Sequence, residues 1–125
     1  MSIDVWRKPE DIPSGLVGTA VTIGVFDGVH KGHRAVLRET VRQAKERGLV
    51  SVALTFDPHP ASVHSTQNVH LVSTLGDRID RLAAAGIDAV YVQRYTLDYA
   101  RAMPREFFEK QLVGELRARV VVVGE

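Results

Sequence analysis

Four apolar runs constrain the fold more than any other feature: Ala20-Val-Thr-Ile-Gly-Val25, Val50-Ser-Val-Ala-Leu-Thr55, Asp88-Ala-Val-Tyr-Val-Gln93 and Arg119-Val-Val-Val-Val-Gly124. They are nearly continuous rather than strictly alternating, the pattern of strands covered on both faces, and segments of helical period separate them. The first such segment runs from near Lys31 to Arg47, with Val36, Leu37, Val41 and Ala44 as its buried stripe and Gly48 as its C-cap. The second is capped by Ser73 or Thr74 with Asp77 three or four residues on, turns Ile79, Leu82 and Ala83 inward and ends at Gly86. The third starts at Pro104 and presents Phe107, Phe108, Leu112 and Leu116. Strands alternating with helices predict an α/β fold with a doubly wound parallel sheet. Right-handed crossovers then lay the second and third runs to one side of the first and the fourth on its other side, so the switch point flanks the first run.

The remaining stretches read as connections. Residues 1–19 mix charges with Pro9, Pro13, Gly15 and Gly18 and predict an extended leader with one short strand around Val5-Trp6, Trp6 pinning it to the body. Phe56-Asp57-Pro58-His59-Pro60 breaks the chain at the end of the second run, because each proline fixes its own φ and drives the preceding residue toward extended geometry. Residues 61–72 have no sustained period and predict a loop over the rim in which His64 and Asn68 are solvated. Arg94 to Tyr99 leaves the third run at the same rim.

Where the first run meets the first helix the chain reads Gly24-Val-Phe-Asp-Gly-Val-His-Lys-Gly-His33. A loop feeding a helix N-terminus faces unpaired N–H groups and the positive end of the macrodipole, and the glycines at 24, 28 and 32 permit close approach of a ligand. His30 and His33 are three residues apart, hence on one helix face, and two imidazoles there can donate to a phosphoryl group as charge grows on it. Three readings are open on the residues alone: a phosphate site, an ordinary capping loop with surface histidines, or an i, i+3 metal pair. No Gly-Lys-Ser/Thr follows, so the loop is not a P-loop, and its glycine spacing is not that of the dinucleotide fingerprint. Asp57 and His59, at the end of a neighbouring strand, share the ligand-binding edge with these histidines. Unliganded, the same turn is explained by Asp57 bonding its own backbone.

At 125 residues the chain makes one domain, residues 1–125. The net charge is +1 with both signs interspersed, which gives no basic stripe for nucleic acid. The sequence has no cysteine, no cleavable leader and no run of about 18 apolar residues, so the expectation is a cytoplasmic protein without disulfides or membrane spans.

The segment Gly24 to His33 resembles the HxGH motif of the nucleotidyltransferase superfamily. With Phe26-Asp27-Gly28 ahead of the first histidine and Thr55-Phe-Asp-Pro-His-Pro60 following, it resembles the FMN adenylyltransferase module of bacterial riboflavin kinase/FAD synthetases. Gly86-Ile-Asp88, Pro104-Arg-Glu-Phe-Phe108 and Val120-Val-Val-Val-Gly124 extend the likeness along nearly the whole chain, with Tyr95 where the family usually has Phe, a tolerable departure because a hydroxyl changes little if its tip reaches water. The resemblance implies a Rossmann-like nucleotidyltransferase fold, incomplete on its C-terminal side, and transfer of AMP from ATP to FMN with Mg2+ on the leaving pyrophosphate. It implies catalytic roles for His30 and His33. ATP binding would fall to Gly24, Phe26, Asp27, Gly28, His30, Gly32 and His33, and flavin binding to Asp57, Pro58 and His59. It leaves the metal ligands unassigned. It also implies a further phosphate-clamping motif and a kinase domain downstream of residue 125, and with them that this stretch alone is a poor enzyme. The alternatives are another HxGH nucleotidyltransferase acting on a different acceptor, or a catalytically silent nucleotide- or flavin-binding half-module.

Overall fold

A computed structural model describes residues 3–27, 31–64, 74–102 and 104–124, side chains excepted at 31, 32, 107 and 108. Its centre is a five-stranded parallel sheet of β1 (Asp4–Trp6), β2 (Thr19–Ile23), β3 (Val50–Asp57), β4 (Ala89–Arg94) and β5 (Ala118–Val122), in the order β1-β4-β3-β2-β5. The helices are α1 (Lys31–Arg47), α2 (Pro60–His64), α3 (Leu75–Ala84) and α4 (Leu97–Ala102), with a π-helical segment at Phe107–Glu115 before β5. The four apolar runs become β2 to β5, and β3 and β4 lie on one side of β2 with β5 on the other, as the handedness argument requires. The short leader strand adds to β4 and closes the far edge.

Successive strand residues face opposite ways, so β3 sends Val52 and Leu54 into one core and Ala53 into the other. Leu37 of α1, Leu82 of α3 and Phe26 cover the Ala53 face; Leu112, Leu116, Leu16 and Trp6 cover the other. Burial of each of Leu37, Leu54, Leu82 and Leu116, all inaccessible to solvent, stabilises the sheet by about 1.5–3 kcal/mol. The caps are those the sequence marks: Gly48 and Gly86 take φ of +66° and +95° at the ends of α1 and α3. The Thr74 hydroxyl accepts from Asp77 N–H at 3.0 Å. Ser73, the other candidate cap, lies outside the described residues, as does Asn68.

Three expectations need correction. The stretch read as a loop from 61 begins as α2, with Pro60 at its first position and the His59 Nδ1 accepting from Ala61 N–H at 3.0 Å. The stretch leaving β4 carries α4, whose start is capped by the Thr96 hydroxyl accepting from Tyr99 N–H. The third helix is π-wound at Phe107–Glu115, and the Leu116 N–H reaches the Gln111 carbonyl at 2.9 Å, which keeps Leu112 and Leu116 in the core as expected.

Candidate active site

β2 stops at Ile23, two residues before the apolar run does, because Gly24 to Phe26 swing out over the C-terminal edge of the sheet. Gly24 N–H still bonds the Leu54 carbonyl at 3.0 Å, so the turn begins in register with β3. A β-carbon on Gly24 would sit 3.1–3.4 Å from three atoms of the Phe26 ring, which is why this position takes glycine. Phe26 is 3% exposed and has φ of +59°, a strained setting for an aromatic residue that its burial among Leu37, Ala53 and Val92 offsets. Its ring meets the His33 ring edge to face, centroids 5.4 Å apart, and so braces the imidazole in the first turn of α1.

The carbonyl of Val25, at the tip of the turn, accepts two hydrogen bonds: the Thr55 hydroxyl at 2.9 Å and an Arg78 N–H at 2.8 Å. Strand β3 and helix α3 thereby hold the elbow from below. The structure puts Gly24, Phe26 and Asp27 in this loop and Gly32 and His33 in the opening turn of the 17-residue α1. Gly28 and His30 lie outside the described residues.

Asp57 ends β3, opposite Arg94 in β4, and its carbonyl accepts from Tyr95 N–H at 3.1 Å. With Pro58, Arg7, Val92 and Arg94 it lines a cavity of about 350 Å³ at the rim. The Asp57–Pro58 peptide is cis. His59 is committed to its own turn: its carbonyl accepts both the N–H and the hydroxyl of Ser62, and its Nδ1 accepts the Ala61 N–H, leaving Nε2 to carry the proton of the neutral ring. A larger cavity, about 720 Å³, lies between α1 and α3 and is lined by Arg34, Arg38 and Arg81, so volume alone does not mark the chemistry.

His64 is exposed, as expected of a solvated rim residue, yet the structure pairs it with Tyr95, a pairing that the sequence does not show. The His64 Nε2 and the Tyr95 hydroxyl are 2.7 Å apart, and the buried Tyr95 ring packs edge-on against Phe56, His64 and Tyr99. Thr55 and Arg78 are site residues that sequence reasoning missed. Thr55 is the polar end of an apolar run, a weak signal, and Arg78 gives none, being one of three charged residues within Asp77-Arg-Ile-Asp80. Among the described residues no group of three or more His, Asp or Glu side chains can hold a metal ion, and no helix is long and apolar enough to cross a membrane.

A sequence model of the FAD synthetase family matches residues 13–125. The chain is 36% identical over 110 residues to a bifunctional riboflavin kinase/FMN adenylyltransferase of Listeria monocytogenes, covering 86% of this chain and 35% of that one. It is 39% identical over 110 residues to a putative enzyme of the same description from Geobacillus thermodenitrificans, covering 88% and 59%, and 32% identical over 109 residues to that of Escherichia coli K12, covering 86% and 35%. The chain thus spans between about a third and three-fifths of these relatives' lengths. A solved structure described as a macrolide-efflux protein from Streptococcus pneumoniae superposes with a TM-score of 0.82 over 98% of this chain and 42% of that one, at 22% identity, a likeness of fold.

Proposed function

The chain belongs to the FAD synthetase family, and from that premise we propose that residues 1–125 form the N-terminal part of an FMN adenylyltransferase domain that makes FAD and pyrophosphate from FMN and ATP. The observation that carries the reading is the braced elbow: a loop pinned through Val25 by β3 and α3 delivers His33 into the first turn of α1 at the C-terminal edge of a parallel sheet. That is where backbone N–H groups and a helix dipole receive phosphates.

A phosphate oxygen of FMN attacks the α-phosphorus of ATP in line. The bond from that phosphorus to the bridging oxygen breaks and pyrophosphate leaves, with no covalent enzyme intermediate. The residues supply position and charge stabilisation. His33, held by Phe26, donates to the phosphates together with His30; Gly24, Phe26, Asp27, Gly28 and Gly32 shape the nucleotide loop; and Asp57, Pro58 and His59 bound the flavin side. His59 contributes through its turn, since its carbonyl and Nδ1 are engaged there. Magnesium bound with the triphosphate would supply charge neutralisation on the pyrophosphate, with no residue of this chain assigned as its ligand. A kinase domain further along the parent protein is part of the same proposal and is supported by the length of the relatives.

The test is pyrophosphate release by the full-length protein with FMN, phosphopantetheine or nicotinate mononucleotide as acceptor for ATP, and with CTP in place of ATP. FMN with ATP should be preferred. Preference for another pair assigns a different nucleotidyltransferase, and binding of ATP or FMN without turnover assigns a silent module.

A further inference from the structure

Arg78 projects from the first turn of α3 into the protein, where it is 2% exposed. Among the described residues its guanidinium meets the Val25 carbonyl at 2.8 Å and the Thr55 hydroxyl at 3.3 Å, and its buried Nε has no hydrogen-bond partner. Neither contact is anionic, and no ion pair of Arg78 occurs among the described residues. Of the residues outside the description only Glu125 is acidic. A guanidinium is a cation at any ordinary pH, so this is a positive charge in a buried setting with no carboxylate paired to it among the described residues. Burial of an unpaired charge is costly and persists where something else compensates it.

The position of the charge indicates what compensates it. Arg78 sits behind Val25, one residue before Phe26, and the loop beyond leads into the N-terminus of α1, which already favours negative charge. The Thr55 hydroxyl satisfies the Val25 carbonyl without help, so the guanidinium is not needed merely to pair that oxygen.

We propose that Arg78 is a positioning residue of the phosphate site: it fixes the elbow through the Val25 carbonyl and holds one uncompensated positive charge beneath the loop, matched when a polyphosphate binds above it. The inference rests on the reading of this loop as a phosphate site.

The test measures binding of ATP and of inorganic tripolyphosphate by calorimetry, and melting temperature without ligand, for the full-length protein and its Arg78→Met and Arg78→Lys variants. Methionine keeps much of the stem volume and removes the charge, so affinity for both ligands should fall about tenfold while the ligand-free protein melts at or above the original temperature. Lysine keeps the charge and should recover affinity to within about threefold. Binding unchanged in Arg78→Met, or Arg78→Met and Arg78→Lys equally weak and equally destabilised, overturns the inference and leaves the functional proposal standing. An unsubstituted full-length protein that binds neither ligand overturns both.

Discussion

Replacing Gly24 with alanine should damage the site through a single methyl group. The new β-carbon would lie 3.1, 3.2 and 3.4 Å from three carbons of the Phe26 ring, against about 3.5–4.0 Å for comfortable contact. Relief requires the ring to retreat by a few tenths of an ångström. It has little freedom to do so, since Phe26 is buried in the cluster of Leu37, Ala53, Leu82, Ile87, Val90 and Val92 and its backbone already sits at φ of +59°. Overpacking of this kind costs about 1–3 kcal/mol, which for a domain of this size lowers the melting temperature by roughly 4 °C per kcal/mol. Because the His33 ring rests on Phe26, displacement of the phenyl ring also displaces the imidazole, and misplacement of about 1 Å can cost about 10²-fold in rate. Gly15 is the matched control: a β-carbon there meets nothing within 4 Å, and Gly15→Ala should leave stability within about 0.5 kcal/mol of the original or slightly above it. The assay is thermal melting beside FAD formation in the full-length protein. If Gly24→Ala melts and turns over like Gly15→Ala, the bracing of His33 by Phe26 is refuted.

His33→Ala in the full-length protein should lower FAD formation on the order of 10²-fold, the cost of one lost transition-state donor, with little change in melting temperature; undiminished turnover would remove His33 from the chemistry. Burial, with the negative charges of Glu115, Glu10 and Asp11 added, pushes the Tyr91 hydroxyl up to about 12 from its ordinary 10. A folded value above the unfolded one means stability that is complete below pH 10 and is lost as pH rises from 10 through about 12. Tyr91→Phe should therefore move the alkaline unfolding midpoint upward, and an unmoved midpoint in a pH titration followed by circular dichroism would contradict this.

The parallel sheet was legible because its signals are local. Near-continuous apolar runs such as Val50 to Thr55 mark strands buried on two faces, and the stripe from Val36 to Ala44 and glycines 48 and 86 mark helices and their ends without reference to distant residues. The same locality made the loop from Gly24 to His33 readable as the entrance to a helix. The short elements α2 and α4 were not readable, since they owe their conformation to a turn and a cap rather than to period, and period placed the third helix with Leu112 and Leu116 inward without showing its π winding. Pairings between distant residues belong to the tertiary structure alone: His64 with Tyr95 across 31 positions, and Arg78 with Val25 across 53. Arg78 shows the physical reason most plainly. A charge in a run of charged residues signals solvent unless the fold carries that helix face over the end of β2, and once it does, the same guanidinium becomes a buried cation beneath the candidate phosphate loop.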